Sequence, residues 1–122
     1  MRWFLVRVVG TSMTPTFADG DRLLFRRTGR VAVADCVAFE PPEMFRGDGS
    51  AGRPRWLIKR VAALPGDPLP AAFRAATGRI EPAVPPGRLV VLGDNPESLD
   101  SRHFGYLDLG SVAGVCCRAL PR

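Results

Sequence analysis

The chain has 122 residues, 46% of them apolar, which is enough for a single domain over residues 1–122 with its own core and too much for a disordered tail. Seventeen basic and twelve acidic side chains leave a net charge of +5, a mild balance that permits an anionic partner and requires none. Lys59 is the sole lysine and His103 the sole histidine, so a multi-histidine metal site is excluded and any step needing an amine or an imidazole must use these two.

The longest apolar runs are four residues, such as Trp3 to Val6 and Val31 to Ala34. A membrane-crossing helix needs roughly 20. The N-terminal stretch, cut by Arg7, is also shorter than the apolar region of a secretory signal, about 7–15 residues. Cys36, Cys116 and Cys117 have no metal-binding spacing, and their odd number is a poor disulfide framework, so reduced, half-buried thiols are expected. Gly 13 and Pro 12 together make a fifth of the chain and predict many turns and short strands.

The elements follow in that manner. Phe4 to Val9 reads as a strand rich in β-branched and aromatic residues. Gly10 to Thr16 forms a tight bend and Asp19-Gly20-Asp21 a turn, before a second strand at Arg22 to Phe25. Val31 to Phe39 is a third strand, ended by Pro41-Pro42. Residues 46–55 form a polar loop, and Trp56 to Val61 is a fourth strand. Pro65-Gly66-Asp67-Pro68 is a sharp turn. One helical turn fits at Ala71 to Ala76 in an Ala/Pro-rich stretch. Leu89 to Leu92 is a fifth strand, Gly93-Asp94-Asn95-Pro96 turns again, and Ser111 to Arg118 is the last strand. The expected class is all-β, with coiled, barrel-like sheets.

Two residues stand out chemically. Ser12 lies on a bend directly after an apolar strand, a place that can present a nucleophile, although a turn or capping serine is the commoner role. Lys59 lies in a strand, where alternate side chains share a face. Leu57, Lys59 and Val61 therefore lie together, and Trp56, Ile58 and Arg60 face the other way. An apolar setting disfavours the ammonium and lowers the lysine pKa. A neutral lysine beside a serine hydroxyl is a general base, although a snorkelling surface lysine has the same local sequence.

Four segments in order then carry a family resemblance. Residues 10–21, G-T-S-M-T-P-T-F-A-D-G-D, resemble the nucleophile box of the type I signal peptidases. Trp56 to Asp67 resembles that family's lysine box, K-R-V-x-x-L-P-G-D. Pro85 to Asn95, followed by Ser98-Leu99-Asp100-Ser101-Arg102, is similar to its C-terminal box. Ala34 to Phe39 with Pro41-Pro42 resembles the strand between the first two boxes.

The resemblance implies a compact barrel-like catalytic fold and a serine endopeptidase that removes leader or signal peptides. It implies Ser12 as nucleophile, Lys59 as general base, and Ser98 as the hydroxyl that orients the lysine. It further implies a buried charge cluster of Asp100, Arg102 and Arg60, with Met13 and Gly10 at the substrate cleft. No cofactor or metal is implied. The partner is a leader-bearing polypeptide, with no nucleic acid and weak or absent membrane contact.

The chain departs from the family pattern in several places. Gly10 stands where some members carry a serine that helps hold the oxyanion, so backbone N–H groups, chiefly that of Ser12, must serve. The stretch between Asn95 and Ser98 is one residue shorter than usual. The segment from Pro68 to Pro86 is much shorter than the cap subdomain of larger members. Only eleven residues precede Ser12, so the family's membrane anchor is expected to be absent and the chain cytoplasmic or peripheral to the membrane. In its lean, anchorless size and its Gly93-Asp94-Asn95-Pro96 wording it resembles the nickel superoxide dismutase maturation proteases. A serine–histidine site would have to use His103, at a position that varies in the family. A LexA-like self-cleaving regulator would need a DNA-binding segment upstream, and a dead binding module would not need Ser12, Lys59 and Ser98 together. Trp3 and Phe4 are expected in the core of the first strand.

Overall fold

The computed structural model describes residues 2–43 and 55–121. Its elements are β1 (Trp3–Arg7), β2 (Arg22–Arg26), β3 (Cys36–Phe39), β4 (Leu57–Ala63), α1 (Ala71–Thr77), β5 (Arg88–Leu92), α2 (Ser101–Phe104), β6 (Leu107–Asp108), a 3-10 turn (Leu109–Ser111) and β7 (Val112–Ala119). The strands form one sheet in the order β1-β2-β7-β3-β4-β5-β6, and every pairing is antiparallel. The register shifts between Leu24 and Phe25, between Ala38 and Phe39, and between Val61 and Ala63. Each such irregularity bends its strand and adds twist, so the sheet curls into a half-barrel. The expected all-β class holds.

The curl creates an apolar layer on each face. Val6, Val8, Met13, Leu23, Phe25, Cys36, Ala38 and Ile58 form one cluster. Val37, Phe39, Val61, Leu89, Val91 and Leu107 form the other. β3 alternates between them, Cys36 and Ala38 to the first and Val37 and Phe39 to the second, so all four of its residues are buried. A third cluster, Ala63, Leu69, Phe73, Val84 and Val90, seats α1. α1 ends at Gly78, whose φ of +72° suits the left-handed cap and whose N–H donates to the Arg74 carbonyl. Between β4 and β5, α1 is the sole regular element, in keeping with the reduced cap expected there.

Several local expectations change. Residues 31–35 are a turn and not the start of β3: Ala34 has a φ of +78°, and the Ala32 N–H donates to the Asp35 carboxylate at 2.8 Å. β1 ends at Arg7 and not at Val9. α2, β6 and the 3-10 turn were not expected. Residues 46–54 of the expected polar loop lie outside the described residues. Phe4 packs against the first cluster as expected, stacked on Phe25 at 5.5 Å. Trp3 does not: it is 42% exposed on the outer face, with Leu5 at 57%. Phe4 pairs with inward Phe25, and strand alternation sends Trp3 and Leu5 outward. The three cysteines are free thiols, with Cys36 buried, Cys116 half-buried and Cys117 exposed. Burial pushes the Cys36 thiol up to about 11, so it is inert near neutral pH.

Candidate active site

Ser12 lies on the connection between β1 and β2. Hydrogen bonds from Val8 N–H to the Asp21 carbonyl (2.7 Å) and from Gly20 N–H to the Val8 carbonyl (2.8 Å) close the base of this loop. Gly10 opens the bend with a φ of +86°, a conformation costly for other residues, and its N–H donates to Asp19 Oδ1 at 2.8 Å. Met13 plugs the loop into the first cluster at 1% exposure. The Thr14 N–H and hydroxyl both donate to the Thr11 carbonyl, at 3.1 and 2.9 Å. Ser12 is thus held half-buried on a short, tightly bonded bend.

Lys59 projects from β4 on the face of Leu57 and Val61, and it is 3% exposed. Burial pushes its pKa down to about 8; Asp100 opposes this and Arg102 adds to it. With a pKa of about 8, on the order of a tenth of the amine is neutral at pH 7, and that neutral form can accept a proton.

Gly93 marks where these parts meet. Arg60 pairs with Leu92, and one residue further along that antiparallel register Gly93 stands opposite Lys59. Opposed residues share a face. A Cβ on Gly93 would sit 2.1 Å from Ser98 Oγ and 2.7 Å from the Ser12 carbonyl oxygen. The face of Lys59 is therefore the face on which Ser98 and the Ser12 loop converge, and only glycine leaves room for them.

Asp100 supports this arrangement from below at 0% exposure. It accepts from Gly93 N–H (2.8 Å), Ser98 Oγ (2.7 Å), Arg102 N–H (3.0 Å), Arg102 Nε (2.9 Å) and Arg102 Nη2 (2.7 Å). Burial alone would raise its pKa. The Arg102 side chain, the Gly93 N–H and the Ser98 hydroxyl outweigh burial and hold it below the usual carboxylate range. Asp100 also caps α2. His103 completes the cap by accepting the Asp100 N–H on Nδ1 at 3.2 Å. That ring nitrogen is an acceptor in a helix cap.

The expected cluster needs one correction. Arg60 does not join Asp100 and Arg102. It points to the opposite face from Lys59 and clasps Asp94, Nε to Oδ1 at 2.8 Å and Nη2 to Oδ2 at 2.7 Å, while Nη1 donates to the Ala34 carbonyl at 2.8 Å. Asp94 also accepts the Thr16 hydroxyl at 2.5 Å. The Arg60 contact, foremost, holds its carboxyl low; burial opposes and Thr16 assists.

Asp94, Thr16 and Asn95 received no role from the sequence. The pairing of Asp94 with Arg60 spans 34 residues, and that with Thr16 spans 78. The available signal was the Gly93-Asp94-Asn95 turn itself, in which an acid and an amide follow a glycine.

A family model described as "Signal peptidase, peptidase S26" matches residues 1–71 and 68–118. The match defines the chain as a peptidase of the signal peptidase class. It belongs to the signal peptidase, peptidase S26 family. The chain is 27% identical over 143 aligned positions to the signal peptidase I of Bacillus caldolyticus, covering 88% of this chain and 73% of the relative. It is 28% identical over 145 positions to signal peptidase I V of Bacillus subtilis (strain 168), covering 89% and 80%. A crystal structure of a signal peptidase I from Enterococcus faecalis V583 is 24% identical, with a TM-score of 0.48 and coverage of 70% of this chain and 96% of that one.

Proposed function

We propose that this chain is a single serine–lysine endopeptidase domain that removes a leader from a polypeptide substrate, with Ser12 as nucleophile and Lys59 as general base. The observation that carries this reading is a lysine 3% exposed, with a pKa near 8, on the face where Ser12 and Ser98 converge at Gly93. Neutral Lys59 Nζ takes the proton of the Ser12 hydroxyl as Oγ attacks the peptide carbonyl carbon. The carbonyl oxygen takes the negative charge and is met by backbone N–H donors, chiefly that of Ser12. The Lys59 ammonium returns the proton to the leaving nitrogen as the C–N bond breaks. Lys59 then takes a proton from water as the water oxygen attacks the acyl carbon, the bond from that carbon to Ser12 Oγ breaks, and the Lys59 ammonium returns the proton to Oγ, leaving a free carboxylate product and the starting dyad.

Ser98 Oγ donates its hydrogen bond to Asp100 and accepts a long one from Arg102 Nη2 at 3.4 Å, which leaves it one acceptor position with which to receive Lys59 and set the amine's direction. By the family resemblance Met13 and Gly10 lie beside the substrate cleft, and the leader residues received there are small, as A-x-A-like sites require. A dedicated leader-trimming role, as in the nickel superoxide dismutase maturation proteases, fits the short segment between β4 and β5. Among the described residues no helix is long and apolar enough to cross a membrane. We read contact with membranes as peripheral and made through the outer face of β1 and β2.

The test is cleavage of an internally quenched peptide with Ala at the first and third positions before the scissile bond. Ser12→Ala and Lys59→Ala are each expected to abolish cleavage in a folded protein. Lys59→Arg is expected to fail as well, because a guanidinium stays charged. Cleavage retained by any of the three removes the dyad from the account.

A further inference from the structure

The proposed chemistry asks the Ser12 N–H to point at a developing oxyanion. A peptide bond is planar and trans, so the direction of the Ser12 N–H is opposite to that of the Thr11 carbonyl in the same plane. Whatever holds the Thr11 carbonyl therefore aims the Ser12 N–H.

Three donors hold it. Two come from Thr14 within the bend, the N–H at 3.1 Å and the hydroxyl at 2.9 Å. The third is Asn95 Nδ2 at 3.0 Å, from the turn after β5, and the same nitrogen lies 3.3 Å from Thr14 Oγ1. The Asn95 backbone N–H holds the next carbonyl, that of Ser12, at 2.9 Å. One residue thus grips both peptide planes that flank the Ser12 side chain.

Asn95 is itself fixed. Its Oδ1 accepts the Glu97 N–H at 3.0 Å, and its carbonyl accepts the Ser98 N–H at 3.0 Å. Its neighbour Asp94 is clasped by Arg60 and Thr16. The grip on the nucleophile bend is therefore tied at one end to the lysine strand and at the other to the serine that faces the lysine.

We propose that Asn95 is a positioning residue that sets the direction of the Ser12 N–H and holds the nucleophile bend in register with Lys59. This rests on the Ser12–Lys59 reading above. The two Thr14 bonds are local to the bend and survive loss of the Asn95 side chain, so the bend persists while its alignment to β5 relaxes.

The test compares Asn95→Ala and Asn95→Asp with the parent chain on the same quenched Ala-x-Ala peptide. Asn95→Asp keeps the shape and the acceptor for the Glu97 N–H but cannot donate to the Thr11 carbonyl. Removing one oxyanion donor outright costs about 100- to 1,000-fold in kcat, so misdirecting it is expected to cost about 10- to 100-fold. KM is expected to stay within about threefold, because the effect falls on the transition state. The acid limb of Asn95→Ala is expected to stay near pH 8, since the groups that set the Lys59 pKa are untouched. Assayed without substrate, the 1H–15N resonance of Ser12 is expected to move in Asn95→Asp and to stay in His103→Ala.

A kcat within twofold of the parent in both variants overturns the inference. So does a loss that only tracks the unfolded fraction measured by circular dichroism. If Ser12→Ala is inert while Asn95→Ala is normal, only this inference falls. If Ser12→Ala cleaves like the parent, the dyad reading falls and this inference with it.

Discussion

A lysine side chain that is 3% exposed carries a proton at a cost, and two neighbours of opposite sign set how large that cost is. Burial lowers the Lys59 pKa to about 8, Asp100 pulls it back up and Arg102 offsets Asp100. In the proposed mechanism the free amine is the base, so cleavage is expected to rise with pH through about 8, and His103→Ala is expected to leave that profile in place. Arg102→Gln leaves Asp100 uncompensated beside Lys59. Its acid limb is expected to move to higher pH, with a lower rate at pH 7, read from the pH dependence of kcat/KM. The same burial bears on stability. The folded pKa is below the unfolded value of 10.5, so the unfolded chain binds the extra proton between about pH 8 and 10.5, and stability rises with pH across that window. Lys59→Met removes the burden and is expected to stabilise the inactive protein at pH 7 by about 1–3 kcal/mol in denaturant titrations. A variant no more stable than the parent would mean that the ammonium is well solvated.

At the scale of elements, α2 is a four-residue helix whose value lies in its cap. Asp100 joins that cap to β5 through Gly93 and to Ser98, and it is fully buried. Asp100→Asn leaves the Arg102 guanidinium, 19% exposed, without its counter-charge. Breaking such a pair is expected to cost about 3–5 kcal/mol in urea unfolding. An unchanged midpoint would mean that the pair contributes nothing net. Asp94 and Asp100 both have depressed pKa values, so the stability they supply is present above the ordinary carboxylate range and lost as the pH falls below it.

The elements also differ in how far sequence reveals them. β2, β4 and β5 follow from runs such as Leu89-Val90-Val91-Leu92, whose apolar and β-branched content persists over several residues. The alternation that puts Lys59 with Leu57 and Val61 is equally local. α2 and β6 are four and two residues long, too short for any periodicity to register. Val31 to Asp35 has strand-like composition, yet Ala34 takes a positive φ because Asp35 bonds back to Ala32 and the Val61 carbonyl receives the Ala34 N–H. The partner of Arg60 depended on which turn the sheet brings against its face, which no local pattern encodes.

At the scale of the molecule, the outer face of β1, β2 and β7 is a single-sign surface. Trp3, Leu5 and Leu24 form its centre, bordered by Arg7, Arg22, Arg26 and Arg118, and the three strands contain no acidic residue. Such a face suits an anionic interface, although a few exposed apolar residues give marginal, reversible attachment. Co-flotation with phosphatidylglycerol-rich vesicles is expected to be weak at low salt, to vanish at high salt, and to fall further in Trp3→Ser. Tight, salt-resistant binding would count against this peripheral reading.

The sheet order has a consequence in time. The β1–β2 hairpin bears the Ser12 bend, β4 bears Lys59, and among the described strands β7 joins the β1–β2 pair to β3 and β4. During synthesis the serine emerges first, the lysine next, and the seam that unites them last. An unfinished copy lacks the strand that joins the two halves of the sheet and has only the Asn95 bonds to tie the Ser12 bend to the β5 turn, so the proposed dyad is expected to settle into register only when β7 slots into the middle of the sheet.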